Sequence, residues 1–94
     1  MSTTIEGGYD GDLVVTAHAR VAVSGDIDGD LLVEERASVT VEGDVNGNAD
    51  VRAGARVVVC GDINGDLLTR GDVKVEGSVN GSVATSGGNL GIGK

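Results

Sequence analysis

The chain has no phenylalanine, tryptophan or proline and a single tyrosine among its 94 residues. A core of interlocking aromatic rings is thereby excluded, and Val, Leu, Ile and Ala supply nearly all the apolar matter. One cysteine cannot form an internal disulfide, so a cytoplasmic address is the expectation. One histidine, with no second His or Cys at ligand spacing, leaves no metal or catalytic cluster of the usual kinds, and neither cofactor nor enzymatic activity is expected. Basic residues are scarce, seven against fifteen acidic ones, for a net charge of −8. Direct binding to nucleic acid is not expected, because neutralisation of phosphates by Lys and Arg supplies most of that affinity. No apolar run approaches the roughly 18 residues of a membrane span, and the start, MSTTIEGG, lacks the basic region and apolar core of a secretion signal. A chain this short buries little more than about 60% of the surface its unfolded form exposes, so its stability must come from something other than a large globular core.

What the chain does have is glycine, 17 residues of it, and a repeat. GDIDGDLLVEERASVTVE (residues 25–42) and GDVNGNADVRAGARVVVC (residues 43–60) align position for position at a spacing of 18. Continued outward, the unit covers residues 7–24, 25–42, 43–60, 61–76 and 77–94, with residues 1–6 left as a short polar tail. The fourth unit is two residues short around Thr69 to Gly71, and the fifth loses the pattern after Thr85. Within the unit a period of six runs through Tyr9, Val15, Val21, Ile27, Val33, Val39, Val45, Val51, Val57, Ile63 and Thr69, resuming at Val73, Val79 and Thr85. Odd positions are apolar or small and even positions polar, the alternation of a strand with one buried face. Three short strands per 18 residues describe an all-β fold, a single triangular β-helix or β-solenoid of about five coils. Coils stacked at about 4.8 Å fill the interior with columns of aliphatic side chains and need no aromatic ring. Five Asp/Asn-Gly pairs (Asp10-Gly11, Asp28-Gly29, Asn46-Gly47, Asn64-Gly65 and Asn80-Gly81) mark the expected bends, where Gly and Asn tolerate positive φ and the glycine is either the corner itself or a source of space inside the triangle.

Hexapeptide acyltransferases share the triangular solenoid, but their pattern sets a small residue directly after the inward aliphatic, where this chain has Asp28, Asn46, Asn64 and Asn80. The phrase V-x-V-x-G-x-[VI]-x-G-x-[LV] stands at Val21 to Leu31, at Val39 to Ala49 with Ala closing it, at Val57 to Leu67 and at Val73 to Val83. Over residues 7 to about 85 the chain thus resembles the bactofilins, polymer-forming bacterial cytoskeletal proteins. The resemblance implies a right-handed β-helix and a nucleotide-free scaffold that assembles end to end and positions cell-envelope enzymes. It also implies an apolar membrane-touching segment at the N-terminus and a Phe near the C-terminal assembly surface. This chain has neither, and membrane attachment is not expected.

Two surfaces are candidates for function. The ends of a solenoid expose strand edges and an open apolar column, and no amphipathic helix caps either one. Tyr9 and Leu13 at one end and Val79, Val83, Leu90 and Ile92 at the other are the expected self-assembly residues, with a second copy of the chain as partner. The other surface is the first third of the unit, which carries Asp10, Asp12, Asp26, Asp28, Asp30, Asp44, Asp62 and Asp66 and no Lys or Arg. Such a face is a row of solvated turns, a site for bound divalent cations or a docking site for a basic protein. The last would make the chain a small acidic binding or inhibitor protein, immunity-like or a mimic of nucleic acid. DIDGD and DINGD (residues 26–30 and 62–66) are decoys for a calcium loop, because Gly29 and Gly65 come too early and Leu31 and Leu67 take a ligand position. The basic residues Arg36, Arg20, Arg56 and Arg52 interleave with Glu34, Glu35 and Asp50 and are expected as surface ion pairs. His18 and Cys60 are expected to be outward and without a catalytic role.

Overall fold

A computed structural model describes residues 2–92. It contains eleven strands and no helix: β1 Ser2–Ile5, β2 Leu13–Val15, β3 Arg20–Val23, β4 Leu31–Val33, β5 Ser38–Val41, β6 Ala49–Val51, β7 Arg56–Val59, β8 Leu67–Thr69, β9 Asp72–Val75, β10 Val83–Thr85 and β11 Leu90–Ile92. Every pairing is parallel. Odd-numbered strands form a six-stranded sheet in the order β1-β3-β5-β7-β9-β11, and even-numbered strands a five-stranded sheet in the order β10-β8-β6-β4-β2. The third side is a ladder of single bridges, Tyr9 to Ile27 to Val45 to Ile63 to Val79. Parallel neighbours ordinarily need a long crossover, and here the crossover is the remainder of the coil itself. The result is the expected β-solenoid of about five turns at an 18-residue spacing.

The period of six corresponds to one inward column per side. Ile27, Val45 and Ile63 fill the bridge side, Val15, Val33 and Val51 the five-stranded sheet, and Val39, Val57 and Val73 the six-stranded sheet, all buried. Leu31, Ala49 and Leu67 flank the second group, and Val23, Val41, Val59 and Val75 the third. Each fully buried Val, Leu or Ile contributes about 1.5–3 kcal/mol, and stacking repeats that gain with every coil. A further column escaped the sequence reading: Ala37 and Ala55 are buried and Ala19 packs against the same core. Alanine fits because the chain turns tightly just before it. Ala19, Ala37 and Ala55 donate their N–H to the carbonyls of Thr16, Glu34 and Arg52 at 3.1–3.3 Å.

Two sequence expectations are corrected and one open alternative is decided. Residues 1–6 are not a polar tail across their length: Ser2–Ile5 is a strand in register with Arg20–Val23, the third side of a partial coil that precedes the first full one. The pattern does not end at Thr85, since Leu90 to Ile92 pairs with Val73 to Val75 and completes the six-stranded sheet. Of the two roles open to the Asp/Asn-Gly pairs, the left-handed corner is not the general one. Among them only Gly11 has positive φ, and the left-handed corner is instead the residue before the alanine column, His18 (φ 66), Arg36 (φ 62) and Gly54 (φ 77).

The two-residue deletion falls at this same corner. Thr69 takes the column position of Val33 and Val51, and its buried hydroxyl donates to the Gly71 carbonyl at 3.1 Å and accepts from the Gly71 N–H at 3.2 Å. Gly71 must remain glycine, because a Cβ there would lie 2.7 Å from the carbonyl oxygen of Arg52 and still nearer that of Ala55.

Candidate functional site: the acidic face and the two ends

The acidic face is a set of three hydrogen-bond ladders running along the solenoid. In the first, the Oδ1 atoms of Asp26, Asp44 and Asp62 accept the backbone N–H of Asp44, Asp62 and Ser78, each at 2.8 Å. In the second, Oδ1 of Asp12, Asp30, Asn48 and Asp66 accepts the N–H of Asp30, Asn48, Asp66 and Ser82 at 2.8–2.9 Å. Between them runs an amide ladder, in which Nδ2 of Asn46, Asn64 and Asn80 donates to Oδ1 of Asp28, Asn46 and Asn64 at 3.2, 2.8 and 2.7 Å. On this side of the solenoid only single bridges join the coils, so the side chains supply acceptors that a full strand ladder would otherwise provide. Short Asp and Asn side chains suit the task because they reach a neighbouring backbone N–H without spanning solvent.

This geometry explains the glycines. A Cβ at Gly29, Gly47, Gly65 or Gly81 would strike the Oδ1 of Asp12, Asp30, Asn48 or Asp66 and the glycine backbone of the preceding coil. Glycine is required there for close approach of coils rather than for a special φ. Sequence reasoning located these residues but left open what the glycines serve.

The like charges have one visible cost. The Asp10 carboxyl is raised above its ordinary value, first by a hydrogen bond shared with the Asp28 side chain and then by the Asp28 charge, with a further contribution from desolvation. Asp28 carries no amide with which to donate to Asp10, so the amide ladder stops one coil short of the N-terminal end.

Of the expected surface ion pairs, those with Glu34, Glu35 and Asp50 do not form among the described residues. Arg56 meets Asp72 instead, at 4.0 Å and with both side chains largely exposed. His18 and Cys60 are outward and exposed. An open groove of about 720 Å³ crosses the outer face of the six-stranded sheet beside Gly91, flanked by Arg56, Asp72, Lys74 and Glu76, and no His, Cys or Ser lines it. Among the described residues no group of three or more His, Cys, Asp or Glu is placed to hold a metal ion, and no helix is long and apolar enough to cross a membrane.

The two ends differ. At the N-terminal end β1 stands one strand beyond the five-stranded sheet; Leu13 is only 6% exposed, and Ile5 and Tyr9 are half-buried against the core. Leu13 lies in β2, the outermost strand of the five-stranded sheet, with its side chain buried. At the C-terminal end all of β10 is exposed, Val83 to 40%, and Ile92 in β11 to 37%, while Val79 and Leu90 are half-buried. The sequence placed Val79, Val83, Leu90 and Ile92 at one end, and the fold brings them together on the last coil. The chain matches no protein-family model, no curated protein and no solved structure.

Proposed function

We propose that this chain is a non-enzymatic structural or scaffolding protein of the bactofilin kind that assembles end to end through its terminal coils in the cytoplasm. The observation that carries this reading is the C-terminal coil. Its inward-facing aliphatics Val83 and Ile92 lie open, and β10 and β11 are the outermost strands of their sheets. An apolar column with two free parallel edges is completed by another coil, and a second copy of the chain presents strands of matching spacing. The register inside the solenoid, with Leu67 beneath Val83 and Val75 beneath Ile92, supports this reading. The carboxylates of the acidic face have a structural task in this reading, which is to hold coil on coil.

Electron microscopy with sedimentation velocity tests the proposal. The expected result is rods or filaments whose mass rises with protein concentration. The double variant Val83→Asp with Ile92→Asp is expected to return single particles while its circular dichroism stays that of the wild type. Discrete small particles at all concentrations and salts overturn the reading.

A further inference from the structure

Three Asn-Gly pairs occupy equivalent places in successive coils: Asn46-Gly47, Asn64-Gly65 and Asn80-Gly81. Asn-Gly is the dipeptide most open to attack of a backbone nitrogen on the preceding side-chain amide, because glycine places no side chain in the path. The glycine nitrogen bonds to Cγ and the Cγ–Nδ2 bond breaks. The nitrogen's proton leaves with the departing amide as ammonia, and a cyclic imide remains. Water then adds to either imide carbonyl, giving aspartate or isoaspartate. The reaction requires an unengaged glycine N–H and a side chain free to turn toward it.

The coils differ in both requirements. Asn46 is held at each end of its amide, donating to Asp28 and accepting from Asn64, and the Gly47 N–H is bonded to the Gly29 carbonyl at 3.1 Å. Asn64 donates to Asn46 and accepts from Asn80, and the Gly65 N–H is bonded to the Gly47 carbonyl at 3.2 Å. Asn80 is held on one side only, through Nδ2 to Asn64. Among the described residues nothing donates to its Oδ1, and the Gly81 N–H has no hydrogen-bond acceptor. Gly81 is also exposed, whereas Gly47 and Gly65 are half-buried.

We infer that Asn80 is a self-modification site, converted through the Gly81 nitrogen to aspartate and isoaspartate, and that the ladder protects Asn46 and Asn64 from the same reaction. The product carboxylate has no proton to donate to Asn64, so the last rung of the amide ladder is lost. Isoaspartate also lengthens the main chain beside the Asn80 N–H to Ile63 carbonyl bond of 2.8 Å, which loosens the terminal coil.

The test is peptide mapping by mass spectrometry of the full chain at mildly alkaline pH, native and in urea, at a concentration where sedimentation shows single chains. In the native protein Asn80 is expected to convert on the order of tenfold or more faster than Asn46 or Asn64, whose reaction must await local opening. In urea the three are expected to convert at similar rates. Asn80→Gln, which disfavours ring closure, is expected to leave the native chain unmodified. Equal native rates at the three sites, or a native Asn80 that stays intact while the unfolded chain converts, overturn the inference. Because single chains are used, neither result depends on end-to-end assembly.

Discussion

Asp44 offers the clearest test of why this surface is acidic. Its Oδ1 accepts the Asp62 N–H at 2.8 Å, and the Asp26 side chain serves Asp44 in the same way. Asp44→Ala removes the acceptor and leaves the half-buried Asp62 N–H without its partner. A hydrogen bond to a charged group nets about 1.5–3 kcal/mol. Water reaches this half-exposed site, so the loss is expected at about 1–2 kcal/mol, or roughly 5–10 °C in Tm for a chain of this size. Asp44→Asn keeps an acceptor in the same place, as Asn48 already demonstrates by accepting the Asp66 N–H at 2.8 Å. It also removes repulsion with the carboxylates above and below, a matter of about 1 kcal/mol or less in water. The asparagine variant should therefore melt at or slightly above the wild-type temperature, and added salt should raise the wild type more than the variant. Thermal denaturation followed by circular dichroism reads all three proteins. If Asp44→Asn loses as much as Asp44→Ala, or if Asp44→Ala melts like the wild type, the ladder account of the acidic face is refuted.

Gly47→Ala puts a Cβ 2.7 Å from the Gly29 carbonyl oxygen and against the Asp30 carboxylate, and urea unfolding should show a loss of about 1–3 kcal/mol. Asp28→Asn supplies the amide that the Asp10 carboxyl lacks. A raised carboxyl binds its proton more tightly folded than unfolded, so wild-type stability falls as pH rises from the ordinary Asp range through the raised value. The variant should accordingly gain in Tm over the wild type at neutral pH, with the gain fading in acid. Arg36→Gly relieves a left-handed backbone that glycine adopts freely and that Gly54 already occupies in the next coil. Offset by glycine's entropic cost, a gain of up to about 1 kcal/mol is expected in thermal melts.

Much of the fold was legible because each inward column repeats a residue type at fixed spacing. Val15, Val33 and Val51, or Ile27, Val45 and Ile63, announce a buried ladder by identity alone. The alanine column was harder to see, since Ala19, Ala37 and Ala55 carry little hydrophobic signal and are buried through a tight turn rather than through size. The first strand was missed for a related reason. Ser2–Ile5 is polar at most positions, and its membership in the sheet rests on backbone pairing with Arg20–Val23. Val79, Val83, Leu90 and Ile92 lie together on the last coil, and Leu13 lies on the opposite edge strand with its side chain buried, a difference in exposure that the repeat does not announce. Repeats show which residues stack; they do not show which terminal coil is covered.

By itself the sequence determined the period, the inward columns and therefore the solenoid, because side-chain alternation and an 18-residue repeat are local facts that admit few architectures. It also determined that one face would be acidic. Only the tertiary structure decided what that acidity does, since Asp12, Asp26, Asp30, Asp44, Asp62 and Asp66 each accept a backbone N–H one coil away, 16 or 18 residues distant in the chain. The glycines received their meaning at the same level. A Cβ collides with the coil beneath it, and that contact exists only once the coils are stacked.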